Sequence, residues 1–250
     1  MAGVRRCLSG LVSKPTRLPM RPARARVILN LRGLTMNGTA GEKHSRDDCG
    51  GHSIRLMKIK PKTLIVFEGL DKAGKSTQLE RFKELPWAEP APQFAHMPSG
   101  LTRLTADIYG LLETVKPQSP LALQLLHLAC HAENAPTITR QRQETAVILD
   151  RFWWSTVAYG WHGGQIGRSG LEWTAFMNLI DSIWRDLTPD LVFLFIHPYE
   201  NDANNSDAVE LGYRKLAEES SGTTVLVPRL SVEDTSDFVF EALIARGFIR

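Results

Sequence analysis

Cysteine is scarce in this 250-residue chain. Cys7, Cys49 and Cys130 stand far apart, with no C-x-x-C spacing. That excludes a disulfide framework and offers no zinc signature, so a reducing compartment is the simplest setting. No apolar run reaches the ~18 residues that a membrane-spanning helix needs. Acidic residues are missing from positions 1–41, which hold eight bases: Arg5, Arg6, Lys14, Arg17, Arg21, Arg24, Arg26 and Arg32. The formal net charge is +3, so without those eight bases residues 42–250 carry −5. The basic balance therefore belongs to one end, and it is no argument for a nucleic-acid partner. Internal repeats are also absent, which excludes a solenoid.

The basic end lacks a clean apolar stretch after its first charges, which excludes a secretory signal. Its composition fits a mitochondrial-type presequence. A disordered extension, or sequence upstream of a natural beginning at Met57, fits as well and is the simpler account. Residues 1–60 show no sustained hydrophobic period and many breakers. The expected division is a disordered basic extension over 1–60 and one folded domain over 61–250, cytoplasmic unless the basic end directs it to mitochondria.

The strongest positive signal is Gly69-Leu70-Asp71-Lys72-Ala73-Gly74-Lys75-Ser76-Thr77. It fits G-x-x-x-x-G-K-[ST], the phosphate-binding P-loop. Glycines let the backbone turn tightly enough to aim successive N–H groups at phosphate oxygens. Lys75 would reach the β- and γ-phosphates, and the Ser76 hydroxyl would hold Mg2+. The context agrees. Thr63 to Phe67 is an apolar run that reads as a buried strand, and Lys75 onward continues as a helix whose N-terminus favours anions. Lys75 is expected to be exposed when the site is empty.

From Thr63 on, strand-like runs alternate with helical patterns, which points to a parallel sheet covered on both faces. Strands are expected at 63–68, 92–96, 145–149, 191–196 and 223–228. Helices are expected at 75–85, 101–115, 120–141, 154–160, 170–187, 207–219 and 232–246. In the fifth helix Trp173, Phe176, Met177, Ile180, Trp184 and Leu187 form one apolar stripe. Such a stripe packs against a core; it is not a ligand cage.

A second site follows the run Ala146 to Leu149, where Asp150 and Arg151 end a buried strand. Both charges then sit at the carboxyl edge of the sheet, the edge that also carries the P-loop and where open α/β folds bind ligands. An Asp there can hold Mg2+ or its waters, and an Arg can clamp a phosphate through two bonds.

Phe67-Glu68-Gly69-Leu70-Asp71-Lys72-Ala73-Gly74-Lys75-Ser76-Thr77-Gln78 resembles the P-loop of thymidylate kinases. Asp150-Arg151-Phe152, with Ser155, Ala158 and Tyr159 following, resembles their D-R-Y/F-x-x-S-x-x-A-Y segment. The resemblance covers roughly residues 63–250. It implies a P-loop NTPase three-layer fold, with a five-stranded parallel sheet and helices on both faces. It implies ATP and Mg2+ as donor and cofactor and a nucleoside monophosphate as acceptor. It assigns Gly69 to Thr77, including Ala73 and Gly74, to ATP. Asp71 would contact the acceptor sugar. Asp150 and Arg151 would work near Mg2+ and the acceptor phosphate. Pro98, His127, His131 and Tyr159 would fall on the acceptor side.

Departures from the family pattern accompany the match. His127 stands where the family stacks a Phe on the base, and His131 where it has an acceptor-binding Arg. His96 or Met97 stands before the loop proline. After Ile196, where most members carry an Arg-rich lid, this chain has the short acidic stretch His197 to Ser206. No Lys or Arg occurs between Arg185 and Arg214. One branch of the family places a basic residue inside the P-loop instead, and Lys72 occupies that position here. The resemblance thus implies transfer of the ATP γ-phosphoryl group to dTMP. Two alternatives stand beside it: the same fold acting on another nucleotide or nucleoside, and a nucleotide-binding protein without turnover. No nucleic-acid or membrane partner is expected, and a homodimer is left open.

Overall fold

The computed structural model describes residues 56–164 and 166–250. Residues 1–55, most of the expected basic extension, lie outside the described residues. Five parallel strands form one sheet: β1 (Leu64–Gly69), β2 (Gln93–His96), β3 (Val147–Asp150), β4 (Leu191–Phe195) and β5 (Thr224–Leu226), in the spatial order β2-β3-β1-β4-β5. The helices α1 (Lys75–Lys83), α2 (Arg103–Thr114), α3 (Pro120–Glu144), α4 (Trp153–Ser155), α5 (Trp173–Trp184), α6 (Asp207–Glu219) and α7 (Val232–Ala245) connect or follow them.

β1 is central because every one of its residues, LIVFEG, is buried. It pairs with β3 on one side, Phe67 opposite Asp150, and with β4 on the other, Gly69 opposite Phe195. That register brings the P-loop, Asp150 and the end of β4 to one edge. Phe67 packs against Phe193 and Phe195, with ring centroids 5.2 and 5.8 Å apart. Together with Ile148, Leu149, Val192 and Leu194 they form the buried core. Phe176, Ile180 and Trp184 of α5 join that core, while Trp173 remains 38% exposed.

Element boundaries differ from the expected ones where tertiary contacts decide. The helix expected over 154–160 is instead the short α4 followed by a π-helix over Thr156–His162. α3 runs three residues beyond its expected end and carries Pro136 in its interior. The stretch expected to be disordered up to residue 60 bonds to the domain at its end. Lys58 exchanges backbone hydrogen bonds with Arg250 at 3.2 and 3.0 Å, and Lys60 N–H donates to Phe248 at 2.7 Å. Among the described residues, no helix is long and apolar enough to cross a membrane.

Candidate active site

The loop between β1 and α1 owes its path to two glycines. Gly69 has φ +132°, and a Cβ there would lie 1.9 Å from the Phe195 carbonyl oxygen. Only glycine allows β4 to approach that closely. Gly74 caps α1 with φ 91°, which an L side chain adopts at a cost. Between them Lys72 also takes a left-handed conformation, φ 56°. The loop, the start of α1, His96, Asp150 and Arg151 enclose a cavity of about 460 Å3. Asp71, Lys72, Ala73, Gly74, Lys75, Ser76 and Thr77 all line it. The N-terminus of α1 opens into this cavity with its free N–H groups.

Lys75 departs from expectation, because it is 5% exposed. Its ammonium donates to the carbonyls of Leu70 at 2.5 Å and Gly69 at 3.1 Å. Burial, reinforced by the Arg151 charge, lowers its pKa to about 7. The loop folds around the amine, and a charged amine there is costly until an anion arrives.

Glu68 is fully buried in β1. Its carboxylate accepts from the N–H groups of Phe152 and Ser155 at 2.9 and 3.0 Å and from the Tyr213 hydroxyl at 3.0 Å. A buried carboxylate persists only when so satisfied. This one fixes the segment after β3 against β1 and α6. Arg151, in a left-handed conformation with φ 69°, is thereby aimed back at the P-loop. Its guanidinium donates to Gly69 O at 3.0 Å and Ser155 Oγ at 2.9 Å, and it pairs with the Asp71 carboxylate.

Asp150 ends β3 in the cavity wall. Burial pushes its carboxyl up. The hydrogen bond from His96 and the charges of His96, Arg151 and Lys75 outweigh that effect and hold its pKa below the ordinary value. Its Oδ2 lies 3.0 Å from His96 Nδ1, and its Oδ1 is buried with no hydrogen-bond partner. A buried Asp150 oxygen without a partner and the hydroxyl of Ser76, two residues that line the same cavity, are a donor set that fits Mg2+. That ion takes one or two protein oxygens and fills the rest of its shell with water and phosphate. No group of three or more His, Cys, Asp or Glu residues poised for a metal occurs among the described residues.

Lys72 faces the acidic stretch after β4. Its ammonium lies 3.6 Å from Glu200 and 3.9 Å from Asp202, and donates to the Asn201 carbonyl at 3.3 Å. Tyr159 reaches the loop as well, its hydroxyl accepting from Asp71 N–H at 2.9 Å.

The remaining acceptor-side residues, Pro98, His127 and His131, are not among those that line the cavity. His131 is fully buried, with Nε2 3.0 Å from Thr156 Oγ1 and its ring edge-on to Trp184. Burial, reinforced by His127, lowers its pKa to about 3. It is a neutral residue packed in the core, and it is not among the residues that line the cavity. His127 is half-buried and stacks on Tyr109, ring centroids 5.7 Å apart. Pro98 is held by Asn134, whose Nδ2 donates to its carbonyl at 2.7 Å. Asn205, Glu68 and Tyr213 were not singled out as site residues by the sequence. Glu68 carried a signal, since a charge inside an otherwise apolar strand needs a reason.

A parallel sheet with a glycine-bounded loop feeding a helix, and an Asp-Arg pair on the neighbouring strand, defines a P-loop α/β protein. The thymidylate kinase family model matches residues 67–221, and the chain belongs to that family. A thymidylate kinase of Chlorobium chlorochromatii is 36% identical over 141 residues, 55% of this chain and 61% of that protein. One from Chlorobaculum tepidum is 31% identical over 188 residues, 74% of this chain and 81% of that protein. The chain thus spans about three fifths of the Chlorobium relatives it matches. A crystal structure of thymidylate kinase from Ehrlichia chaffeensis shares the fold, with a TM-score of 0.62 and 23% identity over 74% of this chain and 100% of that one.

Proposed function

We propose that the chain transfers the γ-phosphoryl group of ATP to a nucleoside monophosphate, dTMP in the first instance. The observation that carries this is the joint presence of Lys72, Lys75, Ser76, Asp150 and Arg151 in the wall of one cavity. Three cations and two hard oxygen donors suit a reaction whose catalysis is positioning plus charge neutralisation. The loop amides and Lys75 hold the ATP phosphates. Ser76 and Asp150 hold Mg2+, which when bound neutralises charge on the β- and γ-phosphates. Lys72 offsets charge on the transferring group in place of a basic lid. Asp71 and Arg151 orient the acceptor, whose phosphate is already an anion and needs no general base.

A second reading, transfer to an acceptor other than dTMP, is favoured by the burial of His131. No cation then replaces the family's acceptor-binding Arg at that point of α3. Coupled ADP release with ATP and Mg2+ against all common nucleoside monophosphates tests both. Release with dTMP above all others supports the first reading. A different preferred acceptor selects the second, and no release on any acceptor selects a binding protein without turnover.

A further inference from the structure

One side-chain amide holds both backbone polar groups of Asp71. Asn205 Oδ1 accepts from Asp71 N–H at 3.0 Å, and Asn205 Nδ2 donates to the Asp71 carbonyl at 2.8 Å. The same Oδ1 accepts from the Tyr159 hydroxyl at 3.0 Å. The Tyr159 ring in turn lies against the Arg151 guanidinium, 5.6 Å from its centroid, and Arg151 holds the Asp71 carboxylate. Asp71 is therefore gripped at its N–H, its carbonyl and its carboxylate.

Asn205 is itself anchored. It precedes Ser206, which caps α6 by accepting from Val209 N–H. Its amide is spent 134 positions away in the chain, not within its own turn. The acidic stretch after β4 holds the next residue too, since Tyr199 N–H donates to the Lys72 carbonyl at 3.0 Å. On the donor side the contacts are different: Lys75 bonds to Gly69 and Leu70, and none of the Asn205 bonds reaches Lys75 or Ser76.

We infer that Asn205 is a positioning residue for the acceptor, fixing the backbone of Asp71 so that its carboxylate meets the acceptor sugar. This rests on the proposed transfer to a nucleoside monophosphate. An amide is the group required. It offers one acceptor and one donor in a plane, matching the N–H and C=O of a single residue. Asn205→Ala removes both bonds, leaving the Asp71 carbonyl without this partner and its N–H with the Tyr159 hydroxyl alone, itself released from the Asn205 oxygen. Asn205→Asp keeps the acceptor but turns an oxygen toward the Asp71 carbonyl and adds a charge beside Asp71. Small displacements of a positioning group cost large factors in rate or affinity.

The test is steady-state kinetics on Asn205→Ala, Asn205→Asp and Asn205→Gln, with amide exchange at Asp71 followed in the same proteins. The expected result is a KM for the acceptor raised ~10-fold or more in the Ala and Asp variants, with the KM for ATP within ~2-fold of wild type. Partial recovery is expected in the Gln variant, which carries the same amide. Asp71 N–H exchange should quicken ~10-fold or more in Asn205→Ala while the α1 amides keep their protection. Equal rises in both KM values, or unchanged kinetics, would overturn the inference. If the wild type turns over no nucleoside monophosphate, the proposed reaction fails by itself, and the Asp71 exchange rate decides about Asn205. Faster exchange confined to the loop upholds the brace, and unchanged exchange refutes it.

Discussion

Lys72 Nζ and Glu200 Oε2 face each other at 3.6 Å, so the P-loop's second cation rests on the acidic stretch after β4. Both side chains are largely exposed, 46% and 74%, and such a pair contributes little to stability. The contact keeps the ammonium near the cavity without locking it. Lys72→Ala is expected to lower kcat ~100-fold, because charge on a transferring phosphoryl is best met by a cation already in place. The KM for ATP should move little, since Lys75 and the loop amides remain. Glu200→Gln should stay within ~2-fold of wild type in kcat. Steady-state kinetics on the two variants checks both statements.

Lys75→Met should abolish phosphoryl transfer and leave the melting temperature unchanged or raised. Lys75 is buried with a pKa lowered to about 7, chiefly by desolvation. A thioether chain of similar length fills the same space without that penalty. Calorimetric melting together with an ADP-release assay measures both halves. A fall of many degrees would mean that the bonds to Gly69 and Leu70 hold the loop together.

The burial of Lys75 also marks where the sequence was legible and where it was not. The strand, loop and helix were readable because glycine spacing and an apolar run are local signals. Asp150 and Arg151 were readable because a buried strand must end in something, and two charges there are conspicuous. Burial of the Lys75 amine was not, because it depends on carbonyls five and six residues back in a folded loop. Asn205 was invisible for a stronger reason. It sits in an unremarkable run of Asn and Asp, and its partner is fixed only when β4 pairs with β1. The packing of His131 was not legible, because a histidine on a helix looks alike in sequence whether it faces Trp184 or a nucleotide. The π-helix over Thr156–His162 follows from packing against α6, which no period in the sequence announces.

Acid should weaken the fold in part through His131. Its pKa falls from the ordinary 6.5 to about 3 through burial and the neighbouring His127. The unfolded chain therefore binds a proton between those values that the native state does not. This stability is fully present above the unfolded pKa and is lost as pH falls toward the folded one. Between pH 7.5 and 5.5 the single site contributes about 1.4 kcal/mol, or ~4 °C in melting temperature. His131→Phe should flatten the melting curve against pH by that amount. Identical pH slopes in wild type and variant would show that His131 does not stay neutral in the core.

The domain is expected to need Met57 to Lys60 and nothing before them. A chain beginning at Met57 should keep its melting temperature and activity. One beginning at Thr63 loses the backbone bonds of Lys58 and Lys60 to Arg250 and Phe248, together with the half-buried Ile59 that packs on the core. Each bond contributes ~1 kcal/mol, so melting several degrees lower is expected for the shorter chain. Thermal melts of the two truncations and the full chain decide this. A drop already at Met57 would mean that earlier residues pack on the domain.

Transfer of a phosphoryl group from ATP to a nucleoside monophosphate in this cavity is the proposal on which the other expectations rest. The most direct measurement uses ATP labelled in the γ-phosphoryl, with Mg2+ and dTMP, and follows where the label goes. If the proposed transfer takes place, label is expected in the β-phosphate of dTDP, formed in step with ADP, and none when Lys75→Met replaces the wild type. Label recovered only as inorganic phosphate, or left in ATP while nucleotide binds, would contradict it.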